Sequence, residues 1–144
     1  MSTVQDGTTV IKNRRSFFSI GAALFLGSRA RAQAPARTGA KELARHALSG
    51  PQEGMEAILV EVTARPGVPS TAHRHPGFVL GYVLEGEMKF GINATTPELV
   101  KTGSTFFEPI GALHRVGTSA NPDAPVRFLA FIVAPKGSPV TLPA

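Results

Sequence analysis

The stretch that decides the fold runs Gly67-Val-Pro-Ser-Thr-Ala-His73-Arg-His75-Pro-Gly-Phe-Val79 and continues to Gly86. Its two histidines are separated by one residue, and side chains at positions i and i+2 of a strand point to the same face. His73 and His75 can therefore direct two imidazoles at one point. Imidazole is a ligand for Zn, Cu, Fe and Ni, and Mn binds where carboxylate or water joins the ligand set. The stretch therefore predicts part of a metal site.

A second stretch, Gly103-Ser-Thr-Phe-Phe-Glu-Pro109-Ile-Gly111-Ala-Leu-His114, has the same Gly/Pro punctuation. The Pro109-Ile-Gly111 segment is typical of a turn, and it precedes a short apolar segment that carries His114. Brought in by another strand, His114 would add a third imidazole to the first two. Three imidazoles from two segments predict a facial metal site.

Together, the two stretches resemble the two conserved motifs of the cupin superfamily. The positions that agree with these motifs are Gly67, His73, His75, Gly86, Gly103, Pro109, Gly111 and His114. Two positions depart from the family pattern. Val79 stands where the family has a glutamate that ligates the metal, and Thr118 stands where it has an asparagine.

The resemblance implies an all-β fold, a small antiparallel jelly-roll β-barrel. It implies one divalent metal ion, Fe, Zn or Mn, held by His73, His75 and His114. Because Val79 cannot ligate a metal, we expect weaker affinity for hard cations such as Mn, which favours Zn or Fe. No separate organic cofactor is expected.

Two further side chains are candidates for a catalytic role. Glu108 precedes Pro109, and it either contacts the metal or its bound water, or merely flanks the cavity. Tyr82 is the only tyrosine, and its hydroxyl either donates a hydrogen bond in the pocket or faces outward. Arg74 and His46 are expected to have no direct part in the chemistry, since Arg74 lies on the opposite face and His46 outside both motifs.

The N-terminal 32 residues carry the pattern of a twin-arginine signal peptide. Arg14-Arg15 precedes an apolar stretch over residues 17–27, which is too short to span a bilayer as a helix. Ala30-Arg31-Ala32 is a small-residue cleavage pattern, so we expect cleavage after Ala32. The predicted destination is periplasmic or secreted, with no membrane attachment after cleavage. An uncleaved N-terminal helix is the alternative.

Composition excludes several function classes. The chain has a net charge of +5, but five of its fifteen cations and one of its ten acids lie in residues 1–32, which leaves +1 for residues 33–144. The basic character therefore belongs to the targeting segment and does not indicate nucleic-acid binding. The chain contains no cysteine, so it has neither a disulfide nor a thiolate ligand or nucleophile.

Four segments are expected: the signal peptide over residues 1–32, a spacer with a short helix over 33–54, the barrel over 55–136 and a tail over 137–144. The helix is placed at residues 41–48, where Ser49-Gly50-Pro51 would stop it. Short apolar stretches with Gly/Pro turns between them predict the strands. These are 55–64, 78–84, 87–92, 98–101, 105–108, 113–116 and 126–134. Seven aromatic residues are expected to line or pack the barrel: Phe78, Tyr82, Phe90, Phe106, Phe107, Phe128 and Phe131.

Two classes of function fit these features. The first is a metalloenzyme acting on a small organic molecule: either a dioxygenase resembling the quercetinase-like cupins, with Fe, or a lyase, isomerase or hydrolase with Zn or Mn. The second is a non-catalytic module that binds a small molecule or a metal in the periplasm. Resemblance to single-domain cupins also implies a homodimer.

Overall fold

The computed structural model describes residues 39–144. Ten β-strands and one short 3-10 helix, at Gly50–Gln52, account for the regular structure of these residues. The strands are β1 (Gly39–Ala47), β2 (Met55–Ala64), β3 (His73–Arg74), β4 (Phe78–Glu85), β5 (Glu87–Ile92), β6 (Glu98–Lys101), β7 (Thr105–Glu108), β8 (His114–Ser119), β9 (Val126–Pro135) and β10 (Leu142–Pro143). Within this part of the chain, no helix is long and apolar enough to cross a membrane.

The strands form two antiparallel five-stranded sheets. The first has the order β1-β2-β9-β4-β7 and the second the order β10-β3-β8-β5-β6. Neighbours in each sheet are mostly distant in sequence, as in a jelly roll. The predicted all-β jelly-roll fold is confirmed.

The core lies between the sheets and follows from the alternation of apolar residues along the long strands. In β4, for example, Val79 and Val83 are fully buried, whereas Leu80 and Tyr82 are exposed. Burying one such aliphatic side chain stabilises the fold by roughly 1.5–3 kcal/mol. The core cluster contains Ile58, Val60, Ala64, Val79, Val83, Met88, Phe90, Val100, Phe106, Val126, Phe128, Ala130, Ile132 and Ala134.

The helix predicted over residues 41–48 is wrong. Residues 41–47 lie in β1, which pairs antiparallel with β2 over nearly its whole length. The segment consists largely of good helix formers, but pairing with an available strand edge outweighs that weak intrinsic preference. His46 is exposed on β1, as expected.

The prediction for the aromatic residues is only partly correct. Phe90, Phe106 and Phe128 are buried in the core, and their rings contact one another. Phe107 and Phe131 are exposed on the outer face of the first sheet, because they alternate with the inward-facing residues of β7 and β9. Consecutive phenylalanines on a strand must face opposite sides, so Phe106 and Phe107 cannot both be in the core.

Two glycine-containing turns place the functional segments. Gly86 has a positive φ of 83° in the turn between β4 and β5, as its position in the first motif predicts. Gly111 has a φ of 71° in the turn before β8, where the Ala112 N–H donates to the Pro109 carbonyl across 3.0 Å. The Arg74 guanidinium donates to the Gly111 carbonyl across 2.6 Å and ties this turn to β3. Arg74 therefore has a structural role, as expected.

Candidate metal centre

The structure brings the three predicted histidines together at one end of the second sheet. His73 on β3 pairs directly with His114, the first residue of β8, and His75 follows β3 immediately. Their candidate ligand atoms all lie within 4.8 Å of one another. His75 and His114 are buried and His73 is half-buried, so the cluster is largely shielded from solvent. The i and i+2 spacing thus delivers two imidazoles to one point, and the β8 strand delivers the third.

A backbone carbonyl fixes each of the three rings. One nitrogen of every ring donates to a carbonyl oxygen: His73 Nδ1 to Thr71 (2.8 Å), His75 Nδ1 to Val140 (2.7 Å) and His114 Nε2 to Val116 (2.9 Å). These partners assign the tautomers, because a carbonyl oxygen can only accept. The other nitrogen of each neutral ring is then an acceptor. A carbonyl partner of this kind is the usual way in which proteins orient a metal-binding imidazole.

The remaining ring nitrogens form a set of lone pairs with no N–H donor of its own. His73 Nε2 lies 3.2 Å from His75 Nε2, although both are acceptors in these tautomers. His114 Nδ1 is buried without a hydrogen-bond partner among the described residues. One extra proton could bridge only a single pair of these atoms. Two nitrogens bound to one ion at about 2.0–2.1 Å each are separated by about 3 Å, so a divalent metal fits this set.

Burial favours the neutral form of the imidazoles. It lowers the pKa of His114 to about 4, and the charge of His73 contributes to the same shift. Burial also lowers the pKa of His75. These rings therefore carry a free lone pair at neutral pH, which is the form that binds metal.

Glu108 lies beside the same cluster. Its Oε1 is 3.3 Å from His114 Nδ1, and its Oε2 is 3.7 Å from His75 Nε2. The side chain is buried, and Oε2 has no hydrogen-bond partner among residues 39–144. Burial raises the pKa of Glu108 to about 7, because a buried carboxylate is unfavourable where no cation compensates its charge.

A cavity of about 470 Å³ opens above the histidines. Its walls are mainly apolar, and its polar side chains are the three histidines, Glu108 and a few serine and threonine residues. The apolar wall residues include Val60, Val62, Ala64, Phe128, Ala130, Ile132 and Val140. The volume and the mainly apolar walls with a few polar groups are typical of a site for a small organic molecule.

Comparison with known families agrees with this arrangement. The sequence profile of the family described as "Cupin domain" matches residues 60–132, which is just over half of the chain. The chain belongs to the cupin family. A search of curated proteins found no match.

Solved structures with the same fold include two that cover most of this cupin's length. One is an uncharacterized conserved protein with a double-stranded β-helix domain from Klebsiella pneumoniae, with 19% identity and a TM-score of 0.58 over 78% of this chain and 89% of that one. The other is the DMSP lyase DddQ from Ruegeria pomeroyi, with 20% identity and a TM-score of 0.55 over 75% of this chain and 52% of that one. This cupin thus aligns with only about half of the lyase. At these identities the likeness shows a common fold.

The remaining positions singled out from the sequence lie as follows. Tyr82 is 45% exposed on the outer side of β4 and does not line the cavity. Val79, at the glutamate position of the cupin motif, is fully buried. Thr118, at the asparagine position, donates to the Val68 carbonyl and so fastens the first motif's loop to β8.

Sequence reasoning missed the groups that orient the imidazoles. They are backbone carbonyls, and a carbonyl carries no residue-type signal in a sequence. Val140 illustrates this, because it lies in the segment predicted to be a tail, yet its oxygen accepts from His75 across 2.7 Å.

Proposed function

We propose that this cupin holds one divalent metal ion on His73, His75 and His114 and binds a small organic molecule above it, as a metalloenzyme. One observation carries the proposal: three oriented ring nitrogens, each with a free lone pair, converge in a mainly apolar cavity. The nearest pair, His73 Nε2 and His75 Nε2, is 3.2 Å apart. An ion accounts for this approach, which two neutral imidazoles in these tautomers do not favour.

The cavity defines the class of molecule. Its apolar walls fit an apolar body, whereas a metal on the three imidazoles would fit one oxygen-bearing head group. A divalent metal supplies Lewis acidity to such a head group, and iron supplies oxygen chemistry in addition. The residues of this chain bind the body, exclude water and hold the imidazoles in place.

The cavity lining favours reactions that need no separate general base. Among the described residues that line it, the titratable side chains are the three histidines and Glu108. Glu108 contacts two of the histidines, so none of these titratable side chains stands apart from the cluster as a separate general base. A dioxygenase with iron fits this lining, and a lyase, isomerase or hydrolase with Zn or Mn would use Glu108 or metal-bound water for proton transfer.

A non-catalytic binding module is the second candidate. The same absence of a separate general base from the described lining favours it, because binding needs only the metal and the cavity. The two candidates differ in what the bound metal does. A redox-active metal that reacts with oxygen in the presence of a ligand supports the enzyme, whereas unchanged ligand and oxygen support the module.

Elemental analysis of the protein, purified without added metal or chelator, tests the metal site. We expect about one equivalent of metal in the wild type. We expect less than about a tenth of an equivalent in His114→Ala, because metal affinity depends on the complete set of ligands. His46→Ala is the matched control, because His46 is exposed on β1, and it should keep the wild-type content. A folded wild-type protein that neither retains nor takes up metal would contradict the proposal.

We also propose export by the twin-arginine route to the periplasm or the exterior, with cleavage after Ala32. The supporting feature is the Arg14-Arg15 pair followed by the short apolar stretch. These residues lie outside the range that the structure describes, so the export stays a prediction.

A further inference from the structure

We infer that Glu108 supplies the carboxylate ligand that the cupin motif places at position 79, and that it does so from the neighbouring strand. The inference rests on the metal site proposed above. It assigns to Glu108 a role as the fourth protein ligand, beside the three imidazoles.

The sheet register places the two positions side by side. Val79 on β4 pairs directly with Glu108 on β7. Both side chains are buried, Val79 at 0% and Glu108 at 2% relative exposure, so both face the interior. Side chains that are directly opposite on antiparallel strands have Cβ atoms about 4.5–5.5 Å apart. The side chain of Glu108 therefore leaves the backbone close to the point at which a glutamate side chain at position 79 would leave it.

A cation would satisfy the contacts of the Glu108 carboxylate. Its oxygens lie 3.3 Å from His114 Nδ1 and 3.7 Å from His75 Nε2. Both of these nitrogens are acceptors, because the other nitrogen of each ring donates to a backbone carbonyl. The lone pairs of an ionised carboxylate would repel those of the two nitrogens, and one proton on Glu108 could relieve only one of the two contacts. A metal ion between them would remove this repulsion and satisfy Oε2 and His114 Nδ1, the two buried side-chain atoms of the described residues that lack a partner.

The second motif holds Glu108 and His114 in a fixed relation. They flank the Pro109–Ala112 turn, which is closed by the Ala112 N–H to Pro109 carbonyl hydrogen bond of 3.0 Å. The Arg74 guanidinium anchors the same turn to β3 through the Gly111 carbonyl. One turn thus positions two ligands, and Arg74 connects it to the strand that carries His73.

A fourth, anionic ligand changes the metal preference expected from Val79 alone. Three imidazoles leave a divalent metal with its full charge, whereas Glu108 reduces the net charge of the site by one. Carboxylate suits Mn and other hard cations, and imidazole suits Zn. We therefore expect this protein to bind Mn²⁺ as well as Zn²⁺, and to lose Mn²⁺ preferentially when the carboxylate is removed.

A carboxylate exchange between the two positions tests the inference. The affinities for Mn²⁺ and Zn²⁺ are measured by competition titration for the wild type, E108V, E108Q, H114A and the double variant V79E/E108V. We expect Mn²⁺ affinity to fall by about a hundredfold or more in E108V, since even the loss of an outer partner of a ligand costs about 10–100-fold. In V79E/E108V it should return to within about tenfold of the wild type, because the carboxylate is restored from the paired position.

The absorption spectrum of the Co²⁺-substituted protein gives a second readout. It reports the ligand set directly, so it should change in E108V and return towards the wild-type spectrum in V79E/E108V. Thermal unfolding of each variant shows that it is folded, and E108Q covers the case in which E108V does not fold. If Glu108 acted only in folding, a carboxylate at position 79 would not restore the wild-type spectrum.

The outcomes separate this inference from the proposed function. Wild-type affinity in folded E108V and E108Q, together with metal loss in H114A, would overturn the role of Glu108 and leave the three-histidine site intact. If E108V binds Mn²⁺ weakly and a folded V79E/E108V variant binds it no better, the two positions are not equivalent. A wild-type protein that binds neither ion would overturn the proposed metal site itself.

Discussion

The position of the His114 ring depends on a residue that has no side chain. His114 lies against Gly117, where a Cβ would be 2.7 Å from Nε2 and 2.8 Å from Cε1 of the imidazole. That Nε2 also donates to the Val116 carbonyl. Glycine at position 117 therefore leaves the space that the His114 ring occupies beside the other two imidazoles.

We predict that Gly117→Ala weakens metal binding. The added Cβ would displace the His114 ring, so Zn²⁺ affinity should fall by about 10–100-fold, as for the loss of an orienting partner. Gly91→Ala on the neighbouring strand β5 is the control, because its Cβ would meet Pro97 Cγ at 3.3 Å and nothing in the metal centre. Equal Zn²⁺ affinities of the two variants in a competition titration would refute this role of Gly117.

The sequence predicted the three histidines but left the orientation of Glu108 undecided. His73-x-His75 allows a single interpretation, since the two residues share a face in any strand register. Thr105-Phe-Phe-Glu108 has phenylalanine on both faces, so alternation alone does not reveal whether Phe106 and Glu108 or Phe107 point inward. Only the pairing of β7 with β4 decides this, and that pairing is not local information.

The strands were predictable where turns mark their ends. The predicted bounds of β2, β5, β6 and β7 coincide with the observed ones, since glycine, proline or a polar loop flanks each of them. β1 was mistaken for a helix, because Lys41-Glu-Leu-Ala-Arg-His-Ala-Leu48 has strong helix formers and no β-branched residue. Its strand conformation comes from pairing with β2, which propensity cannot reveal.

The close packing of β4 on β9 gives a prediction for stability. A Cβ at Gly77, just before β4, would lie 1.8 Å from the Val133 carbonyl oxygen on β9. Neither backbone can move freely, since both strands lie inside the first sheet. Gly77→Ala should therefore lower the free energy of unfolding by more than about 2 kcal/mol.

Urea denaturation of the metal-free protein measures this effect. Gly91→Ala again serves as the comparison, because its nearest contact is a side chain that can shift, and its loss of stability should be clearly smaller. An unfolding midpoint of Gly77→Ala equal to that of the wild type would show that the two strands separate without penalty.

At the scale of the whole molecule, the outer face of the first sheet is unusually apolar. Leu80 on β4 pairs with Phe107 on β7 and with Phe131 on β9, and all three side chains are exposed. Tyr82 continues the same face along β4. A contiguous exposed apolar group of this kind is typical of a protein–protein interface.

We predict that the protein is a homodimer that covers this face. The edge strand β1 is a less suitable contact, because it carries Lys41, Glu42 and Arg45, and charged residues discourage edge pairing. Light scattering after gel filtration should give the mass of two chains, and a double variant with serine at positions 80 and 107 should dissociate more readily. Its metal content should not change. A monomer at about 100 µM would contradict the prediction.

The hydrogen bond from His75 to the Val140 carbonyl has a consequence for biosynthesis. The two residues are 65 positions apart, so the ribosome produces His75 long before the oxygen that orients it. A nascent chain that ends before residue 140 holds the His73-x-His75 pair without its final geometry. If the proposed metal site forms, we expect metal capture to be a late event, after all the strands that form the site have been synthesised. On the proposed route, synthesis, folding and metal uptake would all precede translocation.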